Sequence, residues 1–599
     1  MGARVEILEP VSVRKAPCID QALWIMTHGA GFGKYQWRSL KSSLKDLIVL
    51  PSWEKMSHFW KLHILADIKS LWRDVEGEDR QFCGVCLDPV QFLPLYLKRF
   101  LERQNLEGHL PDAGNYRVEF KVGSDGGRHA WYKWLAGQQP QGTSMTISIS
   151  LYDCTLLSME SLPGTPEYTW TEQKPNSDRV TRVLAVVMAE ESEVVVKNTV
   201  IWLSKQQESL SDGFNVEFDG MEYTFFPSFK ERHDKKMDRL LTGVGDGCDS
   251  CTAPRSLWNN MVAIEAGFAM DRSVESTQAM WKGLDKNKDG EVIKRRGDYA
   301  ERLGLCHEPN IVRPTLSFTI THKWMCAANH KVKIALHVMV GHYKWVEDAS
   351  IKPHIKEAKE LLQKALKPGQ VVGGSVRENI GVAYGYPDAK GCGGTTTTGE
   401  VARKMFCEEE LRSRIVKLVP QEFRPAMEKI LFQDMILLRL MSCDYLLLPE
   451  KINRLCKEQM RLQVEDIGSW VNFPETMHEF YAHLAEMIEI NENRGLKRLS
   501  EENLEALHKQ VRRIRETKAR LQESSANATD ILTRVNVRSD PVVGHFEPKV
   551  SCKICHREGH SKMSCDYSEK KSGDNMSYED WVFWQYVDPC DCPDGYSYV

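Results

Sequence analysis

The sequence contains no apolar run near the ~20 residues that a membrane-spanning helix requires. Its longest apolar stretch, ILFQDMILLRLM, is interrupted by Asp434 and Arg439 and is typical of a buried helix. The first ten residues, MGARVEILEP, lack the apolar core of a secretion signal. We therefore expect an intracellular protein.

A strong charge of either sign and an internal repeat are also lacking. The formal net charge is −4, so any binding of nucleic acid must come from local basic patches. The length of 599 residues predicts roughly four domain-sized units. The 17 cysteines are odd in number, and several stand in C-x-x-C pairs, which inside a cell favour metal sites over disulfides.

The periodicity of the apolar residues changes along the chain. Alternating segments such as YRVEFKV and SMTISISLYD predict strands, and the run VLAVVMAEE predicts a central strand that is buried on both faces. A helical stretch follows, and then a hairpin with an Asp-Gly turn, FNVEFDGMEYTFFPSF. We divide the chain into 1–110 (helical), 111–240 (strands and a helix), 241–470 (a helical insertion), 471–523 (late helices), 524–549 (a linker), 550–567 (a cysteine-rich module) and 568–599 (an acidic and aromatic tail).

The cysteine-rich module has the spacing of a zinc knuckle, C-x2-C-x4-H-x4-C. Its candidate ligands are Cys552, Cys555, His560 and Cys565. Three thiolates and one imidazole satisfy tetrahedral zinc, and so short a segment folds only around the metal. Knuckles commonly bind nucleic acid, and a purely structural role is the alternative.

A second C-x-x-C pair, Cys248 and Cys251, has no other pair nearby to complete a zinc site. The candidates for the missing ligands are His478 and His483, far downstream in MHEFYAHL. Their spacing excludes the protease motif H-E-x-x-H, because five residues place the rings about 140° apart on a regular helix, against about 40° for four. The two pairs either share one Cys2His2 zinc or are a buried thiol pair and two core histidines.

The strand order, three antiparallel strands followed by a helix and a fourth strand, predicts a ribonuclease-H-like core. That fold acts through two metal ions held about 3.5–4 Å apart by carboxylates on separate elements. The first carboxylate is expected at the end of the first strand, where Asp125 stands in VGSDGG. The second is expected after the fourth strand, where Asp234 is the candidate and Asp238 its alternative.

The third carboxylate is expected on a late helix, and LSEENLEALHKQVRRIR provides one. Ser500 can cap that helix, and Glu501 and Glu502 suit its positive N-terminal end. Glu505 flanks the apolar stripe one turn in, so its side chain is placed to reach a metal.

The same helix continues into a basic run, HKQVRRIRETKAR, with six lysines or arginines and one acid. Its candidate DNA contacts are Lys509, Arg512, Arg513 and Arg515. A solvated helix face is the alternative for such a run.

Several motifs in order resemble the catalytic subunit of the V(D)J recombinase and its relatives, the Transib and ProtoRAG transposases. EQKPNSDRVTRVLAVVMAEESE looks like the family's K-P-N-S segment and the strand after it, and ERHDKKMDRLLTG…CDSC looks like its second catalytic Asp and zinc C-x-x-C. TTGEVARKMF resembles its G-x-x-A-R-K loop, MHEFYAHL its H-x4-H zinc pair, and LSEENLEALHK its S-E…E-x-x-x-K signature. The resemblance spans roughly residues 35–520.

The resemblance implies a DDE transposase or recombinase whose core is split by a helical zinc-binding insertion. Asp125, Asp234 and Glu505 would hold two Mg²⁺ or Mn²⁺ ions. The Cys248 and His478 pairs would share a structural zinc, and the knuckle would hold a second one. The enzyme would nick DNA, form hairpins and join 3′ ends to target DNA.

The resemblance also implies partners and a location. The loop after residue 390 would place Arg403 and Lys404 against DNA, and residues 1–110 would serve in dimerisation and DNA binding. The partners would be terminal inverted repeats, target DNA, a second copy of the chain and a second subunit like that of the V(D)J recombinase. We expect a nuclear protein.

The chain departs from the family in three places. Residues 1–34 are too few for the RING-type module and DNA-reading domain of the vertebrate recombinase, so we expect either a Transib-like chain or a sequence that begins after those domains. The SDGG around Asp125 differs from the family's D-G-x-G-D. The knuckle favours the transposon-like branch. A domesticated or inactive relative that binds DNA without cleavage is the alternative.

Overall fold

The structure is a computed structural model of the chain. The residues that it describes are 18–24, 34–43, 50–65, 68–70, 83–128, 148–172, 174, 176–188, 205–206, 208–233, 235–245, 247–284, 304–306, 308–309, 319–343, 353–354, 356–358, 361–362, 399–500, 502, 507, 510–511, 513–514, 524–546 and 578–591. The chain folds into two compact units, and each unit is formed by two separate segments of the sequence. The sheet unit comprises Met1–Glu231 and Glu502–Ser568, and the helical unit comprises Arg232–Glu501 and Glu569–Val599.

An eight-stranded sheet forms the centre of the sheet unit, and every strand pair whose register is described is antiparallel. Its strands in chain order are β1 (Ile68–Ser70), β2 (Cys83–Leu87), β3 (Asn115–Arg128), β4 (Ser148–Ser161), β5 (Thr169–Thr171), β6 (Arg182–Met188), β7 (Phe214–Phe218) and β8 (Met221–His233). Their order across the sheet is β1-β2-β6-β4-β3-β8-β7, and β5 pairs with β4. The helical pattern of residues 1–110 gives no hint of β1 and β2, which extend this sheet beyond β6.

The strand sequences explain which faces of the sheet are buried. Every residue of β6 from 182 to 187 is buried, the charged Arg182 included, so this largely apolar strand is covered on both faces as its sequence predicts. In β3, alternate residues from Tyr116 to Val122 are fully buried, as one face of a strand requires.

The long pairing of β3 with β4 changes the expected position of Asp125. The ladder runs on through the glycines to Arg128, and Asp125 is paired with Leu151. Asp125 therefore lies within β3 rather than at its end. Glycine offers the same backbone hydrogen bonds as other residues, so the SDGG sequence does not stop the ladder.

The described part of the sheet unit contains six α-helices. They are α1 (Ile19–Trp24), α2 (Lys34–Ser43), α3 (Trp53–Trp60), α4 (Pro89–Glu107), α14 (Ser524–Arg538) and α15 (Pro541–His545), numbered with those of the helical unit. The ends of α4 follow from its sequence: Asp88 caps its first turn by accepting the Val90 N–H, and Gly108 ends it at φ 75°.

The expectation of a linker at residues 524–549 is wrong. Helices α14 and α15 occupy most of it, and Ala528, Ile531, Leu532 and Val535 are buried in the core of the sheet unit. Their spacing is that of one helical stripe. The Ser- and Asn-rich start of α14 is typical of a linker and hides this stripe.

Asn536 on α14 ties that helix to the sheet. Its side-chain amide donates to the Val183 carbonyl at 2.8 Å, and its side-chain oxygen accepts the Val183 N–H at 3.0 Å. Its backbone carbonyl accepts the guanidinium of the buried Arg182. Asp540, fully buried just beyond α14, pairs with Arg99 on α4 at 2.7 Å. Polar groups thus join both halves of the sheet unit.

Replacing Asn536 with alanine should destabilise the sheet unit by about 3 kcal/mol, because two buried backbone groups of Val183 lose their partners. Urea denaturation of the full chain measures this change. Asn105→Ala is the matched control, since Asn105 is exposed on α4, and it should change stability by less than about 0.5 kcal/mol. Equal effects of the two substitutions would contradict the role given to Asn536.

Helices make up most of the described part of the helical unit, as the sequence of 241–470 predicts. Their bounds are α5 (Lys235–Thr242), α6 (Met261–Ala266), α7 (Val274–Gly283), α8 (Ile320–Met339), α9 (Gly399–Cys407), α10 (Glu409–Leu418), α11 (Arg424–Met441), α12 (Pro449–Leu462), α13 (Glu475–Ile490) and α16 (Tyr578–Trp584). Among the described residues, no helix has the length and apolar character that crossing a membrane demands.

A buried polar network joins α8, α11 and α13. The Lys331 ammonium lies 3.2 Å from a carboxylate oxygen of Asp434 and donates to the Tyr481 hydroxyl at 2.8 Å. The Tyr481 hydroxyl donates in turn to Asp434 at 2.8 Å. Burial lowers the pKa of Lys331 to about 8 although Asp434 opposes that shift. The network holds α13, the helix of the histidine pair, in register with its neighbours.

Part of the expected tail is folded against the helical unit. Helix α16 presents Glu579 to Arg412 and Asp580 to Arg439, the second pair at 2.7 Å. Leu447 forms an isolated β-bridge with Val587 just beyond this helix. Acidic and aromatic side chains of residues 578–591 thus pack against the rest of the helical unit.

Candidate metal centre

The structure brings together the two cysteines and two histidines that the sequence offers as one zinc site. The ligand atoms of Cys248, Cys251, His478 and His483 all lie within 4.8 Å of one another. All four side chains are at most 1% exposed. We call this cluster the metal centre, and all of it belongs to the helical unit.

The cysteines lie in an irregular segment after α5. A backbone N–H, that of Ser250, points at the Cys248 sulfur from 3.4 Å. Gly247 has a φ of 135°, a conformation that favours glycine, and this bend precedes the first ligand. An N–H group that points at a cysteine sulfur stabilises the thiolate form of that cysteine.

The histidines both lie on α13, five residues apart. Their ring centroids are 5.4 Å apart and the rings are nearly perpendicular. Positions five apart on a helix point about 140° apart, yet the two imidazole rings still meet, because each side chain extends along the helix surface toward the same point. The spacing that excludes the protease motif is no obstacle to a shared site.

Aromatic rings enclose His478. Trp258 stacks on its imidazole with centroids 4.2 Å apart and planes 7° apart, and Phe268 meets it edge-on at 4.8 Å. These rings fix the orientation of the imidazole and keep water out. No sequence signal identifies either residue, since an aromatic side chain near a C-x-x-C pair has many ordinary explanations.

The buried nitrogens of the centre call for a further partner. Nδ1 of His478 and both ring nitrogens of His483 have no hydrogen-bond partner in the described part of the chain. The Sγ of Cys251 lies 3.3 Å from Nε2 of His478. Leaving buried polar atoms unpaired is costly, and a metal bound between the sulfurs and nitrogens would remove that cost. The residues present therefore fit a metal ion such as zinc.

The two cysteines of the metal centre have pKa values that are shifted in opposite directions. Burial raises the pKa of Cys248, but the neighbouring Cys251, His478 and His483 side chains together lower it by more, so the net pKa lies well below its ordinary value. The hydrogen bond to Cys248 and burial both raise the pKa of Cys251. One thiolate is therefore favoured even without a metal, and a dication would stabilise the second.

The ligand set limits what the centre can do chemically. Two thiolates and two imidazoles complete a tetrahedral site, and the burial of all four leaves no path for a substrate. A catalytic zinc site keeps one position open for water. The arrangement therefore suits a structural metal that links α13 to the segment after α5.

The candidate catalytic carboxylates are only partly within the described residues. Asp125 has its backbone in β3, and Asp234 and Glu505 lie outside the described residues. The alternative Asp238 is described, and its side chain is only 1% exposed on α5. A carboxylate that holds a metal against DNA needs an open path to it, so burial disfavours Asp238.

The candidate DNA contacts are also described in part. Arg403 and Lys404 are half-buried on α9, and the Arg403 guanidinium lies 5.9 Å from the Trp324 ring centroid. Arg513 is exposed. The remaining candidates lie outside the described residues: Lys509, Arg512, Arg515 and the knuckle residues Cys552, Cys555, His560 and Cys565.

Comparisons with known proteins find distant likenesses among solved structures alone. No family model matches the chain, and no curated protein matches it. Among solved structures, the chain is similar to one described as the Drosophila P element transposase strand transfer complex, with 11% sequence identity and a TM-score of 0.36 over 88% of this chain and 91% of that one. A TM-score this low carries no argument about fold or function.

Proposed function

We propose that the chain is a DDE-type DNA transposase or recombinase related to the V(D)J recombinase and the Transib and ProtoRAG transposases. The observation that carries this proposal is the meeting of the two cysteines and two histidines in the metal centre. The family resemblance pairs these same four residues. Cys251 and His478 are 227 positions apart, so no local sequence preference would bring them together.

The order of the strands supports a ribonuclease-H-like core. Strands β6, β4 and β3 are successive neighbours, and β8 lies on the other side of β3. The helical stretch Arg232–Glu501 interrupts the sheet unit between β8 and residue 502. That interruption begins two residues before the second proposed carboxylate, Asp234, and ends four residues before the third, Glu505, so it contains most of the chain between them, where the resemblance places its zinc-binding insertion.

Asp125, Asp234 and Glu505 are proposed to hold the catalytic metal ions. Two bound Mg²⁺ or Mn²⁺ ions would supply activation of the attacking oxygen and stabilisation of the leaving oxygen. In the first step a water oxygen bonds to phosphorus as the bond to the 3′ oxygen breaks, which leaves a 3′-hydroxyl and a 5′-phosphate. That hydroxyl attacks the opposite strand, closes a hairpin on the flank and frees the 3′ end that joins target DNA.

The metal centre has a structural role in this proposal, with zinc as its metal. Cys248 and Cys251 follow Asp234 closely, and His478 and His483 precede Glu505. A metal shared between the pairs would fix the two ends of the insertion to each other. The triad then depends on the zinc without touching it.

DNA is the proposed partner, at inverted terminal repeats and at the target. Basic residues on α9 and in the run after residue 507 would contact phosphates, with Arg513 the exposed member among those described. A homodimer, a second subunit and a nuclear location are proposed from the family resemblance alone.

A plasmid nicking assay tests the proposed function. The full-length protein is incubated with supercoiled plasmid in Mg²⁺, Mn²⁺ or EDTA, and nicked circles are expected with either ion and not with EDTA. The new ends should be 3′-hydroxyls that a DNA polymerase extends without further treatment. Binding of the plasmid without nicking in either ion would favour an inactive relative, and neither binding nor nicking would contradict the proposal altogether.

Deleting residues 550–567 should weaken DNA binding more than it affects the fold. The knuckle adds thiolate-bound zinc and basic side chains, and its removal should raise the Kd for a duplex by about 10-fold, or about 1.4 kcal/mol. Fluorescence anisotropy measures the Kd and thermal denaturation checks the fold. Cys552→Ser with Cys555→Ser should have the same effect without shortening the chain. An unchanged affinity for DNA would indicate that the knuckle has a purely structural role or contacts another protein.

A further inference from the structure

A pocket of about 380 Å³ opens on the helical unit and is lined by α6 with the loop after it, α12 and α13. Pockets that hold ligands commonly have volumes of about 300–1,000 Å³. The apolar part of its lining includes the buried Ile264 and Met460. The lining residues on α13 include Ala482 and Ala485, whose small side chains leave space for an entering group.

Carboxylates predominate among the charged side chains of this pocket. Glu450 lies on α12, Glu486 and Glu489 lie on α13, and the ammonium of Lys457 is the positive group of the lining. Three negative charges against one positive charge leave a net charge of −2. In the part of the chain that the structure describes, the three carboxylates have no ion-pair partner. We call this site the acidic pocket, and it attracts cations and repels the phosphates of DNA.

The positions of Glu486 and Glu489 on α13 make a counter-charge favourable. The two acids are three residues apart, and like charges on such neighbouring positions of a helix repel each other. Glu489 also lies in the last turn of α13, at the negative end of the helix dipole, and no basic residue occupies that turn. A cation bound in the acidic pocket would offset both repulsions.

The loop that forms one side of the acidic pocket is held in place by hydrogen bonds. The Lys457 ammonium donates to the Glu265 carbonyl at 2.9 Å, and the Met270 N–H donates to the Glu486 carboxylate at 3.0 Å. Phe268, which lies in this loop and lines the pocket, also packs against the metal centre. The pocket therefore exists before a ligand arrives, which lowers the entropic cost of binding.

We propose that the acidic pocket binds an arginine side chain of a partner protein, presented in a short peptide segment with an apolar neighbour. The planar guanidinium can donate to two carboxylates at once, as the neighbouring Glu486 and Glu489 require. Its aliphatic stem and the apolar neighbour would contact the apolar lining. Glu450 and Glu489 are exposed, so a peptide can approach from solvent. The inference is independent of the proposed function, because it involves neither the carboxylate triad nor DNA.

Fluorescence anisotropy of the full-length protein with the labelled peptide Gly-Ala-Leu-Arg-Ala-Arg-Gly tests this inference. The Kd should be about 100 μM or lower. A second peptide carries citrulline, which has nearly the same shape but no charge, in place of both arginines. It should bind at least about 10-fold more weakly, because the carboxylates then lose their cationic partner.

Variants of the protein locate the binding site. Glu486→Gln combined with Glu489→Gln removes two charges and should raise the Kd for the arginine peptide by at least about 10-fold. Glu492→Gln is the matched control, since Glu492 is exposed near Glu489 but does not line the pocket, and it should leave the Kd within about twofold. The melting temperature of the double variant should equal or exceed that of the wild type, because the repulsion on α13 is removed.

Three results would overturn the inference. They are no binding of the arginine peptide up to about 1 mM, equal binding of the citrulline peptide, and an unchanged Kd in the double variant. Titration of the wild type with spermine separates a free polyamine from a peptide. Binding of spermine without binding of the peptide would assign the pocket to a small cation and contradict the peptide ligand. Plasmid nicking is measured separately, so its failure would count against the proposed function alone.

Discussion

Replacing Glu505 with glutamine should reduce the rate of DNA nicking by at least about 1,000-fold, which corresponds to about 4 kcal/mol in the barrier. Glutamine has nearly the same shape but no negative charge to hold a divalent ion. The loss of one anionic ligand lowers the affinity for the metal pair and shifts the bound oxygen atoms from their reactive positions. The plasmid assay in Mg²⁺ and Mn²⁺ measures the change.

DNA binding should remain in the Glu505→Gln protein, because basic side chains and not this carboxylate would contact the phosphates. The matched control is Glu502→Gln, which removes an acid from the same segment and should leave nicking within about twofold of the wild type. Parallel loss of binding and nicking would sink the catalytic role of Glu505. A large loss in Glu502→Gln with little in Glu505→Gln would exchange the two assignments.

Replacing Cys248 with serine should release about one zinc ion per chain and lower the melting temperature of the helical unit by roughly 10 °C. Structural zinc contributes about 10–16 kcal/mol of folding free energy in small peptides at neutral pH, and part of that stabilisation is lost with one thiolate. The wild type should hold two zinc ions, one in the metal centre and one in the knuckle. Elemental analysis and differential scanning calorimetry measure both quantities.

Cys590→Ser is the control for Cys248→Ser, because Cys590 belongs to the same unit and is exposed. It should change neither zinc content nor melting temperature. The stacked Trp258 adds a second observable, since its fluorescence should change when zinc leaves His478. A Cys248→Ser protein that retains both zinc ions would refute a shared metal site.

The residues alone leave two interpretations of the metal centre, a shared zinc or a buried thiol pair beside two core histidines, and the family resemblance favours the shared site that the structure brings together. A lone C-x-x-C pair lacks two zinc ligands, and His478 and His483 were the remaining candidates. The strands β3, β4 and β6 could be predicted from the sequence, because their alternating or continuously apolar residues do not follow the 3.6-residue period of an amphipathic helix.

The parts that could not be predicted depend on contacts between distant segments. Glu475 has nothing in its local sequence that indicates two arginine partners, because an acid at the start of a helix is already explained by the helix dipole. Strands as short as β1 are fixed by the neighbouring strand rather than by their own residues. The apolar residues of α14 have helical spacing in the sequence, but the polar first turn of this helix favours the incorrect interpretation as a linker.

The composition of the sheet unit from two separated stretches sets an order for folding on the ribosome. Strand β6 emerges with the buried Arg182, but the Asn536 that receives it is made only after residues 232–501. Arg182 and Asn536 are 354 positions apart, so at about 5–20 residues per second that delay is roughly 18–70 s, long enough for the helical unit to fold first. One face of a large apolar sheet stays uncovered meanwhile, so the nascent chain should depend on chaperones more than its finished stability would indicate.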